Sequence, residues 1–356
     1  MDLKHIIDFN DLTQSDWDEL YSLACDIKKA PYRYSNAMNG RVMATLFYEP
    51  STRTQLSFQT AMLRLGGSVI GFADPNSSSV SKGESLRDTI KIMGGYANVI
   101  VMRNPIEGAA YAASLYSSLP IINAGDGGHL HPTQTMTDMF TINHEKGRLE
   151  NLNIGLCGDL LNGRTVHSLL KAFSRYENNT FYLISTKELA LPEYVYETIR
   201  RSNNNVVECA TLEECISELD ILYMTRIQRE RFASIEDYER QSGIYVLTKD
   251  KMAKAKEDLT ILHPLPKVDE IEPEIDDDPR AKYFIQAENG LYVRMALVLL
   301  MCESNPNRYT PEKYPIPKSR LCSNPKCISN HEHYLPNMFK ILNDVKCCAY
   351  CEHPVD

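Results

Sequence analysis

The chain is poor in basic residues. Its 38 Lys and Arg are outnumbered by 47 Asp and Glu, giving a formal charge of −9. General nucleic-acid binding needs a basic footprint, so that class is set aside, whereas a locally basic pocket for a small anion is not. Long apolar runs are missing as well. The longest, Met295 to Cys302, falls far short of a bilayer span. The opening MDLKHIIDFNDL has no basic stretch followed by an apolar one, so no signal peptide is expected. Internal repeats and low-complexity tracts are absent. These absences lead to the expectation of a cytoplasmic protein with neither membrane nor nucleic acid as partner. In that compartment Cys25, Cys157, Cys209, Cys215 and Cys302 are expected to be reduced and structural.

What the chain does have is cysteine concentrated at one end. Cys322, Cys327, Cys348 and Cys351 form the pattern C-x4-C-x20-C-x2-C. Four thiolates so spaced fit a closed, tetrahedral, structural Zn2+ site. Cys347 is an alternative to Cys348, but the C-x2-C spacing favours Cys348. His331, His333 and His353 are fallback ligands. The other reading is a set of buried free cysteines. A module this short is hard to fold without a metal.

Ahead of this tail, apolar strand-like runs alternate with helix-like segments. Val42–Tyr48, SVIGF, NVIVM and LPIIN read as strands. Thr54–Leu65, Glu84–Met93, Glu107–Leu115 and Thr133–Asn143 read as helices. A second series opens with NIGLCGD, continues with a helix from Arg164, and adds FYLIS, NVVEC, DILYM and DLTILH as strands. The alternation predicts two parallel-sheet α/β domains, over 1–143 and 151–287, with 143–151 as a crossover. Glu288–Cys302 reads as a helix returning to complete the first domain, over 288–303. Residues 304–320 contain Pro306, Pro311, Pro315 and Pro317 and read as a stiff linker to a small zinc-binding β module at 321–356. The acidic segment Asp269 to Asp278 reads as a solvated loop.

Oxyanion chemistry is suggested at several strand ends. EPSTRTQLSF follows a strand and opens a helix, so free N–H groups and the Ser51, Thr52 and Thr54 hydroxyls can cradle an anion. Arg53 adds a planar fork suited to phosphate. Read alone, this is equally a capped helix start with a surface arginine. Arg103 and His131 also follow strands, however, and open α/β sheets bind ligands at the carboxyl ends of their strands. In the second series, Arg164 lies at a strand-to-helix turn, and Arg226 and Gln228 follow a strand. Arginines there suit carboxylates, with interdomain salt bridges as the plainer reading for Arg229 and Arg231. The expectation is an interdomain active-site cleft with a phosphate site on one wall and a carboxylate site on the other. No nucleophile with a paired base stands out, which favours direct transfer between two bound substrates.

The ordered motifs STRT (Ser51–Thr54), SKGES (Ser81–Ser85), VMRNP, HPTQTMTDMFTI, GDLLNGRTVHSL, DILYMTRIQRERF and HPLPKVDEI closely resemble aspartate carbamoyltransferase catalytic chains over residues 3 to 303. The sister ornithine family typically reads HPCQ and HCLP where this chain has HPTQ and HPLP. The resemblance implies that Ser51, Thr52, Arg53 and Thr54 hold the phosphate of carbamoyl phosphate. Thr54, Arg103 and His131 would polarise its carbonyl. Gln134 and the carbonyls of Pro264 and Leu265 would orient its nitrogen. Arg164, Arg226 and Gln228 would bind the aspartate carboxylates. It also implies a homotrimer in which a neighbour's Ser78 and Lys82 complete each site, although Lys82 by itself reads as a solvated surface lysine. Leu265–Pro266 would be cis. Glu49 would clasp Arg164 and Arg231 on domain closure. No cofactor is implied at the active site, and the departing phosphate is a plausible proton acceptor. One departure is Gln55, where relatives often carry arginine.

The tail, LCSNPKCISNHEH followed by VKCCAYCE, resembles the zinc domain of the aspartate carbamoyltransferase regulatory chain, without room for that chain's nucleotide-binding domain. Two roles compete. One is a structural clamp on its own or a neighbouring catalytic chain that builds the oligomer. The other is an adaptor for another protein or for nucleic acid. From Lys318 onward five Lys or Arg meet four Asp or Glu, a balance that does not favour nucleic acid. Two other functions were weighed: a carbamoyltransferase with a different amine acceptor, and a carbamoyl phosphate-binding scaffold.

Overall fold

The computed structural model describes residues 3–227, 234–304, 322–342 and 344–355. The linker beyond Ser304, together with Gln228, Arg229 and Arg231, lies outside the described residues.

The chain divides into two compact units, residues 1–133 with 290–356, and residues 134–289. In the first, a Thr13/Asp16 capping box starts α1 (Gln14–Lys29), which buries Trp17, Leu20, Ala24 and Ile27 on one face. The sequence reading overlooked this helix. Strands β1 (Val42–Phe47), β2 (Ser68–Phe72), β3 (Val99–Asn104) and β4 (Ile121–Asp126) form a parallel sheet in the order β2-β1-β3-β4. β3 and β4 are buried along their whole length, including the polar residues Arg103, Asn104, Asn123 and Asp126. Helices α2 (Thr52–Arg64), α3 (Leu86–Tyr96), α4 (Ala109–Ser114) and α5 (Pro132–Lys146) follow successive strands. The N-terminal segment adds to the sheet edge, where the Ile6 N–H bonds to the Ile121 carbonyl at 2.8 Å.

The second unit holds a five-stranded parallel sheet ordered β7-β6-β5-β8-β9. Its strands are β5 (Asn153–Cys157), β6 (Thr180–Ile184), β7 (Asn205–Cys209), β8 (Ile221–Met224) and β9 (Thr260–Leu262). Helices α6 (Arg164–Phe173), α7 (Glu193–Arg200), α8 (Ile235–Ser242) and α9 (Lys249–Met252) connect or follow them. All nine strands expected in the two series are present. The first residues of the crossover expected at 143–151 lie in the last turn of α5, which runs on to Lys146.

Helix α10 (Tyr283–Ser304) begins five residues before the expected start and enters the first unit at Gly290. Arg294 lies over the Phe58 ring there, 5.2 Å from its centroid. Over Tyr283–Glu303 this helix is long and apolar enough to cross a membrane, but 72% of its most apolar window is buried inside the protein. Burial of that kind is what a core helix shows.

The tail forms an antiparallel hairpin, β10 (Phe339–Leu342) with β11 (Val345–Cys348), and belongs to the first unit. Cys327, Ile328, Leu335, Cys348 and Tyr350 share one core with Ala109, Ala113, Leu86 and Ile90. Gly108 has φ +81, and a Cβ there would lie 2.6 Å from the Tyr350 carbonyl oxygen, so only glycine allows this approach.

Candidate active site and cysteine cluster

In the first unit the groups expected to hold an anion follow neighbouring strands. Phe47 of β1 pairs in register with Arg103 of β3, and Asn104 with Asp126 of β4. The segments after these strand ends therefore share one edge of the sheet. Ser51 stands at the N-cap of α2 without using its side chain as the cap. First-turn N–H groups and the positive end of the helix dipole are thus available to an anion. Thr54 is buried, while Arg53 is exposed.

Arg103 is 9% exposed. Its Nε lies 2.8 Å from Glu49 Oε1, and its Nη1 lies 3.3 Å from His131 Nε2 and 3.4 Å from the Ala124 carbonyl oxygen. A guanidinium only donates, so this contact places the lone pair of His131 on Nε2. Burial lowers the Arg103 pKa below its ordinary value; Glu49 opposes that shift and Arg53 adds to it. Gly125, at φ +123, leaves room for both side chains: a Cβ would lie 3.1 Å from Arg103 Nη1 and 3.4 Å from His131 Cδ2. Glu49 therefore rests on Arg103 in this structure. Of the partners expected on closure, Arg164 belongs to the second unit and Arg231 is outside the described residues.

Ser78 and Lys82 lie on the loop before α3. The Ser78 hydroxyl donates to the Pro75 carbonyl at 2.8 Å, and Lys82 is exposed at the end of a short 3-10 turn. Gln55 sits in the first turn of α2, half-buried, with its N–H bonded to the Ser51 carbonyl.

In the second unit one buried carboxylate organises the groups expected around the carbamoyl nitrogen. Asp138 Oδ1 accepts from Gln134 Nε2 at 2.7 Å and from Gln286 Nε2 at 2.6 Å, while Oδ2 accepts from the Tyr223 hydroxyl at 2.9 Å. Gln286 Oε1 in turn accepts the His263 N–H at 2.9 Å. The His263 ring shapes the following turn, since Nδ1 accepts the Leu265 N–H at 2.8 Å and Nε2 lies 2.6 Å from Glu270 Oε1. With Nδ1 accepting, Nε2 carries the proton given to Glu270. Burial raises the Glu270 pKa, but the His263 contact and backbone N–H groups outweigh it, and the net shift is downward. Gln134 and the turn bearing Pro264 and Leu265 thus hang from one network, and the Leu265–Pro266 bond is cis, as expected. Asp138, Tyr223, Gln286 and Glu270 were not singled out from the sequence. Only Asp138 left a signal, lying one helical turn beyond Gln134. Glu270 also corrects the reading of 269–278 as solvated, because it is 4% exposed and Ile271 is 1% exposed.

β5 and β8 are adjacent, with Cys157 opposite Met224. Arg164, at the start of α6, and Arg226, just after β8, therefore leave the same edge of that sheet. Asp159 shapes the turn before Arg164 by accepting the Asn162 N–H at 2.9 Å.

In the tail, Cys322, Cys327, Cys348 and Cys351 bring their sulfurs within 4.8 Å of one another. Cys322 and Cys351 are 3.6 Å apart, and Cys327 and Cys348 are 3.7 Å apart. A tetrahedral ion with bonds of about 2.3 Å sets its sulfurs roughly 3.8 Å apart, so the residues fit zinc. Burial raises the Cys322 thiol pKa, and contact with Cys348 raises that of Cys327 to about 12. A bound cation reverses that preference. Cys347 stays out of the cluster, its sulfur 3.6 Å from the Val345 carbonyl oxygen.

Comparison with known proteins accounts for the first 301 residues. Two family models match, the aspartate/ornithine carbamoyltransferase carbamoyl-P binding domain over residues 4–144 and the Asp/Orn binding domain over residues 150–301. The aspartate carbamoyltransferase catalytic subunit of Clostridium perfringens is 61% identical over 296 residues, 83% of this chain and 96% of that one. The one from Alkaliphilus metalliredigens is 54% identical over 298 residues, with the same coverage of 83% and 96%. Among solved structures, the catalytic subunit of M. jannaschii aspartate transcarbamoylase has a TM-score of 0.81 at 46% identity, covering 85% of this chain and 99% of that one. The Trypanosoma cruzi aspartate transcarbamoylase in complex with carbamoyl phosphate and aspartate has a TM-score of 0.74 at 36% identity, covering 83% and 95%.

Proposed function

The chain belongs to the aspartate carbamoyltransferase catalytic-subunit family, whose function lies in pyrimidine biosynthesis, and we propose how its own residues carry out that reaction. Carbamoyl phosphate and aspartate, held by the Trypanosoma cruzi relative, are the substrates. The start of α2, with Ser51, Thr52, Arg53 and Thr54, holds the phosphate. Arg103 and His131 converge on the carbamoyl oxygen and stabilise the negative charge that develops there. Gln134, with the Pro264 and Leu265 carbonyls, fixes the carbamoyl nitrogen. Arg164, Arg226 and Gln228 take the aspartate carboxylates. The aspartate amine attacks the carbamoyl carbon, the C–O bond to phosphate breaks, and the bonding pair leaves with phosphate. The amine proton passes to that phosphate, giving N-carbamoyl-L-aspartate without a covalent enzyme intermediate.

The observation that carries this reading is the Glu49–Arg103–His131 cluster beside an uncapped helix start. The test is product formation from carbamoyl phosphate with aspartate and, separately, with ornithine. Turnover with aspartate alone is expected, and turnover with ornithine would overturn the acceptor assignment.

The neighbour-supplied Ser78 and Lys82 make the working form a homotrimer. Mixing inactive Lys82→Ala chains with inactive Arg53→Ala chains should restore activity if sites are shared. The tail binds Zn2+ through its four cysteines and serves as a structural clamp. Bound zinc would supply folding free energy to the module. About one zinc per chain is expected by elemental analysis, with loss on Cys348→Ser. An unchanged particle size after chelation would remove oligomer building from the role of the tail.

A further inference from the structure

Besides packing on α4 and the residues after it through Tyr111 and Tyr116, the tail makes polar contacts at the start of α3, after β3 and after β4, and each of these adjoins a segment that carries a group assigned to carbamoyl phosphate. At the start of α3, Glu332 Oε1 accepts the Leu86 N–H at 2.9 Å, and the Tyr334 hydroxyl accepts the Arg87 N–H at 2.8 Å. Ser85 Oγ accepts the Asp88 N–H at 3.2 Å. The tail thus satisfies two N–H groups that a helix start leaves without internal partners. The loop ending there bears Ser78 and Lys82.

After β3, the Glu107 N–H bonds to the Lys326 carbonyl at 3.0 Å, and the Ile328 N–H to the Glu107 carbonyl at 2.9 Å. Asn324 Nδ2 donates to Glu107 Oε2 at 2.7 Å. Arg103 lies in β3, just ahead of that segment.

After β4, Lys340 Nζ donates to Glu352 Oε1 at 2.7 Å, and Glu352 Oε2 lies 3.5 Å from His129 Nε2. His129 Nδ1 lies 3.1 Å from Asp126 Oδ2. Asp126 is 1% exposed and accepts the Leu130 N–H at 2.9 Å through Oδ1 and the Gly108 N–H at 2.9 Å through Oδ2. His131 is the residue after Leu130.

We propose that the cysteine module is a positioning clamp for the carbamoyl phosphate loops, with Glu352, His129 and Asp126 as positioning residues that set the turn carrying His131. This rests on the assignment of His131 and Arg103 to carbamoyl phosphate. None of the three residues touches substrate. Each acts through the backbone of 126–131 and 107–108, where a small displacement moves a group that must meet one oxygen.

The test uses the full zinc-loaded chain, with Glu352→Ala, Glu352→Gln and His129→Asn compared with Lys346→Ala, which alters the same hairpin away from these contacts. Carbamoyl phosphate binding is measured by calorimetry without aspartate, and kinetics with both substrates follow. Loss of a charged contact predicts about tenfold weaker carbamoyl phosphate binding in Glu352→Ala, a smaller loss in Glu352→Gln, and none in Lys346→Ala. KM for aspartate should change less than that for carbamoyl phosphate. Backbone amides over 126–131 should exchange faster with solvent while zinc content is unchanged. Unchanged carbamoyl phosphate binding in the Glu352 and His129 variants, or equal damage from Lys346→Ala, overturns the proposal. If the wild-type chain fails to turn over aspartate, the assigned function fails instead. The binding and exchange measurements still decide the clamp, because neither needs turnover. If Glu352→Ala does not fold, Glu352→Gln and His129→Asn carry the same comparison.

Discussion

Gln286 donates to Asp138 at 2.6 Å, although the two residues lie 148 positions apart in the chain. The contact ties α10 to α5, and through His263 it reaches the turn that bears Pro264 and Leu265. Asp138 is fully buried. Its replacement by Ala would strand three donors, at a cost of about 3 kcal/mol in urea unfolding. Because Gln134 and the 263–266 turn lose their common anchor, kcat should fall while phosphate binding at α2 is kept. A variant with wild-type kcat would show that the network is structural only.

Glu49 sits on Arg103 and offsets part of its charge. Glu49→Gln leaves the anion site more positive, so carbamoyl phosphate binding should be kept or tightened. KM for aspartate should rise, in line with the assignment of Glu49 to Arg164 and Arg231. Equal weakening for both substrates would count against that assignment.

Gly125 is the close neighbour of both Arg103 and His131. Gly125→Ala forces a side chain into a left-handed backbone position and crowds both groups. A loss of about tenfold in kcat/KM is expected, consistent with roughly 1–3 kcal/mol of backbone strain and displacement. Unaltered kinetics would mean that the two side chains relax freely.

His129 gives the fold a pH dependence. Burial alone would lower its pKa, but Asp126 and Glu352 outweigh burial and raise it from 6.5 to about 10. The folded protein thus holds this proton more tightly than the unfolded chain. The contribution is full below pH 6.5 and is lost as pH rises through about 10. Thermal stability should decline across that window in the wild type and more gently in His129→Gln. Parallel curves for the two would rule out this contribution.

Much of the architecture was readable in advance because buried parallel strands leave short apolar runs, as in VIVM of β3 and ILYM of β8. Helix α1 carries a local signal as well, the Thr13/Asp16 capping box at its start. Boundaries were less legible. α5 extends to Lys146, where Gly147 at φ +69 supplies the stop, whereas α10 starts at Tyr283 with no strong start residue before it, so packing sets that limit. Arg53, Arg103, His131, Arg164 and Arg226 drew attention as candidates because each lies at or just after the end of a strand, where open α/β sheets bind ligands.

Local chemistry along the chain thus determined the two α/β series, the placing of residue types suited to anions, and the four-cysteine spacing. Those features depend on neighbours within a few positions. Tertiary structure alone decided that Glu49 rests on Arg103, that Asp138 gathers Gln134, Tyr223 and Gln286, and that the tail caps α3 of its own chain. A buried carboxylate or a helix start can be satisfied by any donor or acceptor of the right kind. Which one it receives depends on how distant segments pack.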